Sequence, residues 1–178
     1  MSKLKKFFLF GIVGIAGTLT FQSVSADAST LLRVYNPNSG EHHYTLSFDE
    51  RNSLVQVGWK NEGKAWIVPD QGTPVYRLYN PNAGDHHYTL DDNEKTFLEN
   101  SGWKYEGVSW QSGGSTPVYR LYNPNAKTGS HHYTLSSNER DDLVKAGWKS
   151  EGTGFYSTFE GIMGFPAPND SVMEPGGW

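Results

Sequence analysis

Tyr76 to Trp110 reads YRLYNPNAGDHHYTLDDNEKTFLENSGWKYEGVSW, and nearly the same phrase begins at Leu32 and again at Tyr119. Trp59, Trp103 and Trp148 recur at intervals of 44 and 45 residues. All six histidines fall into three adjacent pairs, His42-His43, His86-His87 and His131-His132, one pair per copy. A repeat of this period is one supersecondary unit that cannot bury its own apolar face, so the copies must pack on one another.

Each copy parses in the same way. Leu32 to Tyr35, Tyr76 to Tyr79 and Tyr119 to Tyr122 are short apolar and aromatic runs of β character. Asn36-Pro37-Asn38, Asn80-Pro81-Asn82 and Asn123-Pro124-Asn125 are turns. The His-His-Tyr-Thr-Leu run then reads as the return strand of a hairpin. Ser47, Asp91 and Ser136 stand three residues before Glu50, Glu94 and Glu139. That is capping-box spacing, so a helix of two to three turns is expected, with the glutamates as capping groups rather than catalytic acids. Leu54/Val55, Phe97/Leu98 and Leu143/Val144 are its expected buried side. Gly58, Gly102 and Gly147 end it. In the closing G-W-x-x-E-G phrase the Glu-Gly step is read as a tight bend between two short strands.

The expected fold is mainly β with short helices, in three pseudo-equivalent repeats (about 31–69, 75–111 and 118–157). A closed pseudo-threefold, β-trefoil-like arrangement is preferred to an open array, because closure removes exposed strand edges. The helix in each copy is the awkward feature of that reading.

The flanks are of a different character. Lys3, Lys5 and Lys6 precede an apolar run from Phe7 to Thr20, and Val24-Ser25-Ala26 has the small residues of a cleavage site. Residues 1–26 are therefore expected to be a secretory signal, the three-repeat domain to occupy 27–160 and a tail 161–178. The chain has no cysteine, so packing must stabilise it without disulfides. Its formal net charge is −4, and loss of the three lysines with the signal makes it −7. Such a balance argues against nucleic acid and against docking to anionic membranes. The run from Phe7 to Thr20 is shorter than a spanning helix needs, and the rest of the chain has no apolar run of that length. A secreted or cell-wall-associated monomer is expected.

The phrase Y-R-L-Y-N-P-x-x-G-D-H-H-Y-T-L followed by G-W-x-x-E-G resembles a repeat family of unknown function. That family is found on secreted bacterial and fungal proteins, sometimes appended to hydrolases. The resemblance spans Leu32 to about Tyr156. It implies secretion and a β-rich repeat domain, and carries no established activity. In that family the second histidine is often an aromatic residue, so His43, His87 and His132 are a departure.

Those three histidines, with Asn38, Asn82, Asn125, Asp85, Trp66 and Trp110, form the candidate ligand set. An aromatic face beside Asn, Asp and His suits a sugar ring, which needs apolar C–H contact and fixed hydrogen bonds. Arg33, Arg77 and Arg120 repeat with Glu62, Glu106 and Glu151 and are read as structural ion pairs, and Trp59, Trp103 and Trp148 as core anchors. Neighbouring histidines on a strand face opposite ways, so a metal would need histidines from different copies. The spacing demands no metal, and none is assigned, nor any cofactor. No nucleophile motif is present, and no carboxylate pair stands out as acid and base. The leading expectation is a non-enzymatic, multivalent glycan-binding module. The alternatives are a structural or protein-interaction module without a small ligand and, last, a cell-wall-associated hydrolase.

Overall fold

The computed structural model describes residues 28–158. They form three units of the same plan, mainly β with one short helix each. The first unit comprises β1 (Ala28–Tyr35), β2 (His42–Thr45), α1 (Phe48–Gln56) and β3 (Lys60–Pro69). The second comprises β4 (Thr73–Asn80), β5 (Asp85–Thr89), α2 (Asp92–Asn100) and β6 (Lys104–Ser112). The third comprises β7 (Thr116–Tyr122), β8 (His131–Thr134), α3 (Ser137–Lys145) and β9 (Lys149–Ser157). The expected signal segment and the tail lie outside the described residues.

Each unit is a three-stranded antiparallel sheet with its first strand in the centre, in the orders β2-β1-β3, β5-β4-β6 and β8-β7-β9. Among the described residues the strand ladders stay within a unit, and the three units fit a three-fold arrangement.

After the Gly-Trp step, the rest of the G-W-x-x-E-G phrase and the segment that follows form one strand in each unit, where a bend between two strands was expected. Gly107 explains how β6 stays continuous. It sits opposite Arg77, next to a register shift between Arg77 and Leu78, with φ at 110°. The bulge takes up the irregularity inside the ladder, and glycine accepts the left-handed backbone.

The core is assembled in layers, one residue from each unit. Leu31, Val75 and Val118 make one layer, Tyr44, Tyr88 and Tyr133 a second, and Trp66, Trp110 and Phe155 a third. The tyrosine rings meet edge to face, with centroids 5.6, 5.6 and 5.8 Å apart.

Their hydroxyls run in a cycle. Tyr44 Oη donates to the Tyr133 carbonyl (2.8 Å), Tyr133 Oη to the Tyr88 carbonyl (2.9 Å) and Tyr88 Oη to the Tyr44 carbonyl (3.0 Å). Each hydroxyl also accepts the amide N–H of the residue whose carbonyl it serves. Six buried backbone groups on the outer edges of the edge strands β2, β5 and β8 are thereby satisfied by side chains. Burial holds all three phenols above their ordinary pKa, so they remain neutral donors.

The helices lie outside this core. Of their expected apolar pairs, Leu143 is buried, while Val55, Phe97 and Val144 are exposed. The outward-facing members leave only one side chain of each pair for the sheet.

Candidate functional site

Three polar clusters sit where one unit meets the next. At the first boundary, Arg77 of β4 stands between two carboxylates from different units. Its Nε is 2.8 Å from Glu106 on β6, and its Nη1 is 3.1 Å from both oxygens of Glu50 on α1. At the second, Arg120 pairs with Glu151 (2.8 Å) and Glu94 (2.9 Å). At the third, Arg33 pairs with Glu62 (2.7 Å) and lies 3.8 Å from Glu139. The arginine thus holds its own unit's last strand and also the preceding unit's helix. A planar guanidinium with several donors suits that double duty better than lysine.

The second histidines are part of the same clusters. His43, His87 and His132 are each 2% exposed. His87 and His132 each place Nε2 3.1 Å from the helix glutamate of their own unit, Glu94 and Glu139. Each also meets the first histidine of the next unit edge-on: His43 with His86, His87 with His131, and His132 with His42, at 4.4–4.6 Å between ring centroids. These residues therefore face a neighbouring unit, and their placement on a free ligand surface is corrected.

The two sets of tryptophans have exchanged roles. Trp66 and Trp110, expected as a surface platform, are 2% exposed. The bulged register of β3 and β6 turns them onto the axial face, and Phe155 takes the equivalent place in the third unit. Trp59, Trp103 and Trp148, expected as core anchors, are only partly buried and pack edge-on against His43, His87 and His132 at 6.2–6.3 Å. They follow the glycine at the end of each helix and cover the cluster rather than reach the axis.

Asp85 is also removed from the free set. It is buried and accepts from the Gly129 and Ser130 amides and from Ser130 Oγ, at 2.9, 3.3 and 2.9 Å. Asn38, Asn82 and Asn125 remain exposed in their turns, with their amides donating to Asn36, Asn80 and Asn123 Oδ1 at 3.0 Å.

The glutamates expected as caps serve the clusters instead. Ser47 Oγ does accept the Glu50 amide (3.1 Å), and Asp91 and Ser136 do the same for Glu94 and Glu139. The reciprocal half of the box is supplied by threonine: Thr45, Thr89 and Thr134 Oγ1 accept the cap amides of Ser47, Asp91 and Ser136 at 2.9–3.0 Å. The carboxylates are thereby released toward arginine and histidine. The signal was present in the chain as a threonine five residues before each of these glutamates.

Electrostatics follow from this packing. Glu50 is held well below the carboxylate range by His43, whose Nε2 lies 3.4 Å away, and by Thr45 and Arg77, against the upward pull of burial. Burial would raise Glu139, but His132, Arg33 and Thr134 bring it down to about 2. Burial, with His87 and Arg120 nearby, lowers His131 to about 3.

Around the first boundary the surface forms a shallow, open cleft of roughly 200 Å³, with Ser47, Glu50, Arg77, Glu106, Val108 and Ser109 in its lining. A family described as a domain of unknown function, DUF5648, matches residues 30–158. No curated protein and no solved structure matches the chain.

Proposed function

Since the chain belongs to the DUF5648 family, whose description carries no activity, we propose its function from the site: an exported module that binds carbohydrate at the clefts between its units. The observation that carries this reading is the arginine held between two carboxylates, repeated at all three boundaries. In each cluster both carboxylates are about a quarter to a third exposed. Their mutual pairing fixes the side chains, so little rotamer freedom is lost when a ligand arrives. Oxygens that keep outward lone pairs suit the hydroxyl donors of a sugar, and exposed Val108 at the first cleft offers an apolar edge. The acidic balance disfavours polyanions. Three similar clusters in a closed threefold arrangement, which the tyrosine cycle supports, would convert weak single-site affinity into avidity on a polymer. Export rests on the basic and apolar character of residues 1–26.

Hydrolysis is less well supported. Glu50 and Glu106 come from different units and share a cleft, but Glu50 is held well below the carboxylate range. A glycosidase acid needs a raised pKa to carry its proton at neutral pH.

A second reading, a structural or protein-interaction module, is favoured by the burial of the second histidines and by their internal partners. The test is retention on insoluble cell-wall polysaccharide and on a glycan array, using the folded chain and Arg77→Gln. Binding by the native chain that weakens in the variant supports the glycan reading. Folded protein that is retained by neither sinks it and leaves the interaction reading.

A further inference from the structure

The three boundaries share the arginine, glutamate and histidine pattern but differ at the residue before each histidine pair, which is Glu41, Asp85 or Ser130. At the first boundary Glu41 is buried, and its Oε1 lies 2.5 Å from His86 Nδ1 and 3.1 Å from the His86 amide. Glu41, His43 and His86 each offer one ligand atom, all within 4.8 Å of one another. It is the one cluster of this kind among the described residues.

We propose that Glu41, His43 and His86 bind one first-row divalent cation, of which Zn²⁺ is representative, across the boundary between the first and second units. The ligand types are those of open zinc sites, two histidines and a carboxylate, with the remaining position left to water.

Hydrogen bonding prepares both rings. Tyr88 Oη spends its proton on the Tyr44 carbonyl and lies 3.2 Å from His43 Nδ1. For His43 to ligate through Nε2, its hydrogen rests on Nδ1 facing Tyr88 Oη, and the contact of Nε2 with Glu50 Oε1 at 3.4 Å is given up. For His86 to ligate through Nδ1, the hydrogen that now faces Glu41 passes to Nε2, which points at Glu106 Oε2, 3.6 Å away. Each ring then has the outer partner that metal-bound histidines characteristically keep, a hydroxyl for one and a carboxylate for the other.

Charge agrees with this assignment. Glu50 and Glu106 pair with the single guanidinium of Arg77, whose Nη1 is 3.3 Å from His43 Nε2, and Glu41 adds a third carboxylate at His86. The formal surplus is two negative charges, which a divalent cation neutralises. The other boundaries lack the site for visible reasons. Asp85 is one methylene shorter than Glu41, and its carboxylate is taken by the Gly129 and Ser130 amides. At the third boundary Ser130 offers no carboxylate.

The test uses the chain produced without a polyhistidine tag, stripped with chelator and titrated calorimetrically with Zn²⁺, with thermal unfolding followed in parallel. The expected result is one ion per chain and a higher Tm with metal. Glu41→Gln should weaken binding by at least about 100-fold and abolish the Tm rise, while Asp85→Asn keeps the single site. If Glu41→Gln does not fold, Glu41→Ser carries the comparison, since serine holds that place in the third unit. Absence of uptake, three equal sites, or undiminished binding in the folded Glu41 variant overturns the assignment.

Discussion

The hydroxyl of Tyr88 donates to the carbonyl of Tyr44 at 3.0 Å and accepts the amide N–H of the same residue at 3.0 Å. One phenol oxygen thus closes the open edge of a strand in another unit, where a ladder partner would otherwise be needed. Tyr88→Phe keeps the ring and its packing but strands one buried donor and one buried acceptor. A loss on the order of 2–4 kcal/mol is expected, read from the shift in the urea unfolding midpoint at constant slope. A cost under about 0.5 kcal/mol would show that the cycle is not needed for stability.

The threonine that replaces the second half of the capping box makes a separate prediction. Thr89→Val preserves shape but removes the acceptor for the Asp91 amide and the donor to Glu94 at 2.5 Å. Destabilisation of about 1–3 kcal/mol is expected. Thr96→Val, which removes only an exposed bond to the Asp92 carbonyl on the same helix, should cost under about 1 kcal/mol and serves as the control.

Gly129 and Gly84 hold equivalent turn positions with φ of 65° and 69°. A Cβ on Gly84 meets nothing within 4 Å, whereas one on Gly129 would lie 2.4 Å from the Gly40 carbonyl oxygen of the first unit. Gly84→Ala should cost about 1–2 kcal/mol for the left-handed backbone alone. Gly129→Ala should cost clearly more, because a backbone carbonyl of another unit must also move. Equal unfolding midpoints for the two variants would contradict this contact.

Acid should weaken the fold in two stages. His131 has its folded pKa depressed from an ordinary 6.5 to about 3. The unfolded chain therefore takes up a proton first, and stability falls as pH drops from 6.5 toward 3. Glu139 is depressed from 4.5 to about 2, so its contribution is present above 4.5 and is lost as pH falls toward 2. Unfolding free energy measured from pH 8 down should be level at first and decline below about pH 6.5. His131→Gln should remove part of the upper stage and leave the lower one. A flat profile down to pH 4 in the native chain would refute the first stage.

Much of the local structure was legible in the chain because its signals are short-range. The Asn-Pro-Asn turns, the helix starts at Ser47, Asp91 and Ser136 and the glycines ending the helices each depend on a few neighbouring residues. The three-fold arrangement followed from the period. What was not legible depends on contacts between units. Glu50 has the spacing of a cap, but its side chain is claimed by Arg77, 27 residues away. Trp66 was read as a surface aromatic, but its burial is set by a bulged register with β1, which no local pattern in the chain reveals. The burial of His43 depends on His86 and Tyr88, which no local pattern connects to it. The tyrosines looked like ordinary apolar strand residues, and their hydroxyl cycle is visible only when three strands meet.

Ala28 pairs with Pro69 at the end of β3, and Thr158 donates its amide to the Ile67 carbonyl at 3.2 Å. Entry to and exit from the three units therefore lie at neighbouring points on one strand. A polypeptide can leave its course, complete all three units and resume within a few residues of where it departed. Such a unit can hang as a pendant from a longer chain, or be spliced into a surface loop, without its host having to bridge a gap. The same proximity makes the connections between units, residues 70–72 and 113–115, the natural places to cut when the first and last units are joined by a short connector.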